Sequence, residues 1–307
     1  MSLLSPLAFA LPALLIAGAA AGFAGGLFGI GGGFVVVPAL MFLLPVLGVA
    51  PEQTAHVAVG TSLASIIFTS IRSTSSHAKR GSVDFGLLKG WSIWVVLGTA
   101  VGTALADWIS GAHLALIFGT GVLAFAVYFM LPARQGEPLF AALPSGLPRA
   151  GIASALGAFS TLLGIGGGTL TTLTMTVCGT PIHRAIGTAA GMGAVIAIPA
   201  TIGFVVIGLG ESGRGWGSLG FINLPTAAVL IATSVLFAPL GVAAALVGGW
   251  WPAQAVRRLA PAVALKGLMA SAPRARQGLL RGALLLVLAA GLALLPPLGG
   301  VPLAAYA

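Results

Sequence analysis

Long apolar runs, separated by short polar or glycine-rich breaks, follow one another along almost the whole 307-residue chain. A helix needs about 20 predominantly apolar residues to cross a bilayer. Runs of roughly that size predict eight membrane spans: residues 7–26, 57–71, 87–105, 114–131, 151–163, 185–207, 222–247 and 279–295. Two further apolar runs, 34–47 and 169–178, are too short to cross unaided. The pattern predicts an all-α polytopic membrane protein with about 8–10 transmembrane segments.

The first apolar run has a second interpretation, because residues 7–22 resemble the apolar region of a signal peptide. A signal peptide carries a basic region before that apolar stretch, and this chain has none there. We therefore expect the run to be the first helix of the protein.

Three short motifs occur twice in the same order. They pair residues 29–33 (GIGGG) with 164–168 (GIGGG), 56–61 (HVAVGT) with 183–188 (HRAIGT), and 81–84 (GSVD) with 220–223 (GFIN). Such internal similarity predicts two related halves. We assign residues 1–131 to a first membrane repeat, 132–147 to a proline-rich cytoplasmic linker, and 148–307 to a second repeat that includes a basic stretch at 252–281.

Composition supports a membrane location. Apolar residues make up 58% of the chain and charged residues only 6%, with a mean hydropathy of +1.09, so a charged soluble surface is excluded. The net charge of +9 does not indicate a nucleic-acid partner, because the basic residues lie between apolar runs. The single cysteine excludes an intramolecular disulfide, and the four histidines lack zinc-ligand spacing. We expect no metal and no cofactor.

The basic residues also predict the orientation, because Lys and Arg in short loops stay on the cytoplasmic side. When the loop carrying Arg72, Lys79, Arg80 and Lys89 is placed inside, alternating the spans puts 13 of the 14 basic residues inside and only Arg214 outside. Both termini then lie outside. The first half starts outside and the second inside, which predicts inverted-topology repeats. Each glycine run and its flanks form either two full spans or a re-entrant hairpin.

The repeated glycine run predicts a helix break. Glycine relaxes helical geometry, and exposed backbone at membrane depth is tolerated only inside protein or beside a watery cavity. The helix that restarts after the break presents unpaired N–H groups and the positive end of its dipole to an anion. A single copy would favour tight helix packing instead. Two copies, each before an undersized segment, favour a broken helix.

We therefore predict an anion site at backbone N–H groups after both runs, with threonine and serine hydroxyls as further donors. The predicted substrate-binding residues are Gly29, Gly31, Gly32, Gly33, Thr61, Ser62, Gly164, Gly166, Gly167, Gly168, Thr169 and Thr188.

Three other residues are candidates for a proton or anion relay: His56, His183 and Arg72. Each histidine precedes a predicted span, so we expect both at solvent-facing helix ends. For Arg72, snorkelling to lipid headgroups is the alternative. We expect Asp84 to form an ion pair with Arg80, four residues before it.

These motifs resemble the sulfite exporter TauE/SafE family, also called the toluene sulfonate uptake permease family. The resemblance rests on both GIGGG runs and on residues 56–62, 80–84 and 183–188, and it covers about residues 17–247. It implies a multi-pass permease of the bacterial cytoplasmic membrane that moves sulfite, sulfonates or related organic anions, driven by an ion gradient. Ala189 departs from the family pattern, where serine is frequent, and the chain after Trp250 is unusual.

We conclude from the sequence that the chain is a secondary transporter for a small anion, working by alternating access. An anion channel is the alternative. A membrane enzyme is disfavoured because no nucleophile elbow and no intramembrane carboxylate pair occur in the sequence. The substrate, the coupling ion (proton or sodium) and the oligomeric state stay open.

Overall fold

The structure is a computed structural model that describes residues 4–28, 32–130, 140 and 142–257. Within these residues it contains nine helices and one two-stranded hairpin. The elements are α1 Leu4–Phe28, α2 Gly33–Val46, α3 Pro51–Ala78, α4 Phe85–Trp108, α5 Gly111–Met130, α6 Gly146–Leu163, α7 Gly168–Val177, α8 Ile182–Gly208, β1 Ser218–Leu219, β2 Ile222–Asn223 and α9 Leu224–Arg257.

The all-α polytopic class is confirmed. Six of the described helices are long and apolar enough to cross a membrane, namely α1, α3, α4, α5, α8 and α9. The short segments after the glycine runs are the 14-residue α2 and the 10-residue α7. The predicted span 279–295 and the basic stretch beyond residue 257 lie outside the described residues. The division into repeats and linker, and the inverted topology, stay predictions.

Helices α3 and α8 pack against each other, with the HVAVGT motif of α3 buried and the HRAIGT motif of α8 largely buried from Ala185 onward. Val57, Val59, Ala189 and Met192 are fully buried. α3 is rich in serine and threonine, and such residues are favoured where transmembrane helices meet protein. Its polar composition therefore fits its position inside the bundle.

The outer faces of α4 and α8 expose apolar stripes. On α4, Ile93, Leu97 and Val101 recur at four-residue spacing and are exposed. On α8, Ile202 and Val206 do the same. Side chains four residues apart lie on one helix face, so each stripe forms a continuous apolar surface that suits lipid.

Small residues bring helices of the two sequence halves into contact, α1 with α9 and α4 with α6. On α1, Gly22 lies against the backbone of Ser234 on α9. On α4, Gly102 lies against the backbone of Ala158 on α6, where a Cβ would be 2.6 Å from the carbonyl oxygen. Close backbone approach through small residues is the usual way that transmembrane helices pack without a hydrophobic driving force.

The start of α9 differs from the predicted span at residue 222. Residues 222 and 223 form β2, which pairs antiparallel with β1 in the register Ser218 with Asn223. The helix begins only at Leu224 because the Asn223 side chain accepts the N–H of Thr226 and so ends the non-helical segment.

The chain divides into two compact units. The first comprises residues 1–118 and 137–245 and contains all the contacts described below. The second comprises residues 119–136 and 246–307, of which the described part is the later portion of α5 and the end of α9.

Candidate functional site

Each glycine run interrupts a helix through left-handed backbone. α7 begins after Gly167, which has a φ of 73°, and α2 begins after Gly32, which has a φ of 78°. Residues with a Cβ are disfavoured there by roughly 1–2 kcal/mol, which explains why glycine stands at both positions. The predicted helix breaks are thus present in the structure, although Gly29 and Gly31 lie outside the described residues.

The two glycine runs meet. A Cβ built on Gly33 would lie 2.5 Å from the carbonyl oxygen of Gly164 and 2.6 Å from the Cα of Ile165, closer than real side chains approach. Only a residue without a side chain permits this distance. Segments 131 residues apart in the sequence therefore form one buried backbone junction.

α3 holds this junction in place. The Ser62 hydroxyl donates a hydrogen bond of 2.9 Å to the Gly164 carbonyl oxygen, and both groups are buried. One turn later, the side chain of Ile66 packs against Gly166. At the repeat position equivalent to Ser62 the chain has Ala189, which has no hydroxyl to donate. The junction is therefore bonded asymmetrically.

Buried hydroxyls surround the start of α7. The N-cap residue Gly167 provides no side-chain cap, so the first N–H groups of the helix keep their positive potential. Ser160, Thr169 and Thr171 are at most 2% exposed, and their hydroxyls make no hydrogen bond with any described residue. Ser160 Oγ is 3.1 Å from the position of a Cβ on Gly167. Uncommitted buried donors next to a helix N-terminus form a site suited to an oxyanion.

A small cavity lies between α1, α3, α8 and α9. Its volume is about 10 Å³, enough for about one water molecule and too little for a polyatomic anion. Thr69, Ser70 and Ser73 supply hydroxyls to its wall, and Ser73 Oγ has no partner in the described chain. A Cβ on Gly193 would touch both Ser70 and the Gly166 carbonyl oxygen, which connects the cavity wall to the second glycine run.

Comparison with known proteins identifies the family. The profile of the family described as "Sulfite exporter TauE/SafE" matches residues 14–251, which is most of the chain. The protein belongs to the TauE/SafE family. This range contains both glycine runs and every contact described above, and it agrees with the resemblance recognised in the motifs.

Relatives named "Probable membrane transporter protein" support the assignment. One from Haemophilus influenzae is 33% identical over 231 residues, covering 75% of this chain and 87% of the relative. Another from Methanocaldococcus jannaschii is 30% identical over 240 residues, covering 76% and 85%. No solved structure matches. The chain is thus a multi-pass membrane transporter and not an enzyme.

In this TauE/SafE protein, two of the predicted hydroxyl donors hold the sequence halves together. Thr61 Oγ1 on α3 accepts the Asn223 N–H at 3.0 Å. Thr188 Oγ1 on α8 accepts the Asp84 N–H at 2.9 Å. We call the first pair the hairpin latch and the second the acidic latch. Thr61 and Thr188 are equivalent in the repeats, as are Asn223 and Asp84, so each latch joins opposite halves.

A glycine allows each latch to close. A Cβ on Gly60 would lie 2.5 Å from the Phe221 carbonyl oxygen, and one on Gly187 would overlap the Ser82 carbonyl oxygen. These two glycines precede Thr61 and Thr188, which explains why the Gly-Thr pair occurs in both motifs. The contact of Thr61, Ser62, Thr169 and Thr188 with a substrate stays a prediction.

The expected positions of two charged or titratable residues are wrong. His56 is not at a solvent-facing end, because α3 starts earlier than predicted, at Pro51, and the imidazole is only 6% exposed. Asp84 pairs with Arg184 at 3.3 Å rather than with Arg80. Arg184 lies on α8, so spacing along one helix does not reveal this pair.

The other relay candidates lie at the surface. His183 is exposed in the first turn of α8, as expected, and Arg72 is exposed on α3. Their relay role stays a prediction.

Ser160, which lies one helical turn before Gly164, is a site residue that the sequence analysis does not predict. That spacing was its only signal, because residues four apart on a helix share a face.

Proposed function

We propose that this protein is a secondary transporter that carries a small oxyanion, such as sulfite or a sulfonate, across the bacterial cytoplasmic membrane. The observation that carries the proposal is a set of three buried hydroxyls at the start of α7, those of Ser160, Thr169 and Thr171. They make no hydrogen bond with any described residue, and no side chain caps the helix there. The names of the relatives support transport, and the family name supports an anionic substrate.

Sulfite-like anions fit the chemistry of this site. They accept several hydrogen bonds, and hydroxyls and backbone N–H groups provide such bonds without a buried positive charge. The described basic residues nearest in sequence to the second glycine run, Arg149 and Arg184, lie in the first turns of α6 and α8. We infer that the helix dipole of α7 supplies the positive potential.

The contacts between the two sequence halves support alternating access. The cavity beside the junction holds about one water, so an anion requires helices to separate. The hairpin latch lies toward one end of the α3 and α8 pair and the acidic latch toward the other. Each latch joins a helix of one sequence half to a turn of the other half. We propose that the latches open in turn, with both termini outside, so that the junction faces one side of the membrane at a time.

Flux into proteoliposomes tests the proposal. The panel contains sulfite, thiosulfate, sulfoacetate, acetate and chloride, each measured with and without a proton gradient. We expect saturable uptake of at least one oxyanion and acceleration by unlabelled anion on the opposite side. Failure of every anion would contradict the proposal, whereas conductance without saturation or exchange would indicate a channel.

Substitutions of hydroxyl residues around the start of α7 test where the anion binds. Thr169→Val and Ser160→Ala remove hydroxyls that have no partner in the described structure, so we expect folding to be retained. Each should raise KM by about 10- to 100-fold, the equivalent of one hydrogen bond to a charged group. Thr176→Val is the matched control on the same helix, because its hydroxyl already donates to the carbonyl oxygens of Thr172 and Leu173. Equal KM values for Thr169→Val and wild type would place the anion elsewhere.

A further inference from the structure

His56 and His183 occupy equivalent repeat positions and have opposite environments. The His183 side chain is exposed at the start of α8. His56 lies in the second turn of α3, is buried, and stacks on Phe221 of the hairpin with ring centroids 5.0 Å apart. A buried imidazole in a transporter is a candidate for proton binding, because histidine changes charge near physiological pH.

The hydrogen bonds of His56 leave one ring nitrogen available. Nε2 is 2.9 Å from the Ala106 carbonyl oxygen, which can only accept, so this contact assigns the ring hydrogen to Nε2 in the neutral form. Nδ1 is then a base. It is buried, and among the described residues it has no hydrogen-bond partner. It lies beside the start of α5, 3.7 Å from the position of a Cβ on Gly111.

The charged groups around His56 do not neutralise it. Within the described part of the chain, no carboxylate forms an ion pair or hydrogen bond with the imidazole. The charged or titratable groups on its own helix and on the elements packed against it lie toward the surface: Glu52 on α3, Asp107 on α4, His113 on α5, and Glu211 and Arg214 in the loop before the hairpin. A proton on Nδ1 would therefore be an uncompensated charge inside the protein.

An anion at the glycine junction would provide the compensation. Ser62, which bonds to Gly164, lies six residues after His56 on the same helix, about 9 Å along its axis. Inside the protein the attraction between opposite charges is screened less than in water, so a proton on His56 favours a monovalent anion at the junction. Linkage is reciprocal, so the anion favours protonation of His56 by the same factor.

We infer that His56 Nδ1 is the proton-binding site that couples anion movement to proton movement. This inference rests on the proposed transport function. The proton arrives from water and adds to the Nδ1 lone pair, the anion binds at the junction, and both are released on the other side, so one proton and one anion cross together. The stack of His56 on Phe221 lets the hairpin, which carries Asn223 of the hairpin latch, respond to the charge of the imidazole.

Transport in proteoliposomes separates coupling from transport. In His56→Gln, the Gln amide can still donate to the Ala106 carbonyl oxygen. We expect anion exchange at equal pH to persist with a raised KM, because the neutral amide no longer attracts the anion, and accumulation driven by a pH gradient to fall at least tenfold. His183→Gln is the matched control and should retain both. Gradient-driven accumulation by His56→Gln at the wild-type level, or its loss in His183→Gln alone, would overturn the inference while leaving the proposed function intact.

A second measurement does not depend on transport. The chain has four histidines, so a carbon-13 histidine spectrum of the full-length protein is simple to assign, with the His56 signal identified by its loss in His56→Gln. We expect that signal to shift toward the protonated imidazole when the pH is lowered, and to shift further when sulfite is added. A wild-type His56 signal that does not respond to pH would overturn the inference even if no panel anion is transported.

Discussion

The hairpin latch and the acidic latch have the same backbone geometry and different side-chain chemistry. In both, a threonine hydroxyl on a central helix accepts a backbone N–H from a turn of the other sequence half. In the hairpin latch, Asn223 is neutral and 4% exposed, and its side chain makes further bonds inside the hairpin. In the acidic latch, Asp84 is partly exposed and pairs with Arg184. We conclude that water and salt reach only the acidic latch.

The two copies of a repeated motif can therefore form the same hydrogen bond and still differ in the free energy needed to break it. Opening the hairpin latch breaks hydrogen bonds of Asn223, a residue that is only 4% exposed. Opening the acidic latch moves groups that are already partly exposed further into water, and water replaces the hydrogen bonds that they lose. In the alternating-access mechanism that we propose, opening the hairpin latch therefore requires more free energy than opening the acidic latch. His56 stacks on Phe221 at the hairpin latch.

We expect the largest loss of stability for Asn223→Asp, which gives the hairpin latch the aspartate found in the acidic latch. Asn223→Asp replaces an NH₂ group that donates to the Trp216 carbonyl oxygen and to Ser218 Oγ with an oxygen that can only accept. We expect a loss of about 2–4 kcal/mol in the free energy of unfolding, because a buried charge meets a carbonyl oxygen. Thermal unfolding in detergent measures it. Unchanged unfolding would show that the hairpin is not the tighter latch.

Removing one threonine hydroxyl at a time should have intermediate effects. Thr61→Val leaves the buried N–H of Asn223 without its acceptor, so we expect a loss of about 1–3 kcal/mol. Thr188→Val leaves the N–H of Asp84, which water reaches in part, so we expect about 1 kcal/mol. The same unfolding measurement ranks them. A larger effect for Thr188→Val would reverse our comparison.

The smallest effect is expected for Asp84→Asn. Asparagine caps a helix as well as aspartate, so the bond from the Leu87 N–H persists and only the exposed ion pair with Arg184 is lost. We expect less than about 0.5 kcal/mol. The wild type should lose a little stability when salt is raised, whereas Asp84→Asn should not, and identical salt dependence in both proteins would contradict this.

The repeated motifs predicted much of the fold and part of the site. Glycine runs followed by short apolar segments gave the helix breaks, because left-handed caps need glycine. The latch residues could be paired as equivalents, since the Gly-Thr pair occurs in both halves. That each contacts the other half could not be seen, because the partners are 162 and 104 residues apart.

Three errors have local causes. The burial of His56 was missed because the start of α3 was placed at the first long apolar run, although Pro51 and Glu52 are typical of a helix N-terminus. The short hairpin before α9 was read as helix because Ile222 begins an apolar run. The partner of Asp84 was sought four residues away, whereas Arg184 reaches it through tertiary packing.

The hairpin latch also sets a time scale for biogenesis. Thr61 is synthesised 162 residues before Asn223, and ribosomes add about 5–20 residues per second, so α3 waits on the order of 10–30 s for its partner. During that interval this helix, with its many serines and threonines, lacks much of the protein surface that buries it. The nascent first half therefore depends on the insertion machinery, or on transient packing with α2 and α4, until the hairpin emerges.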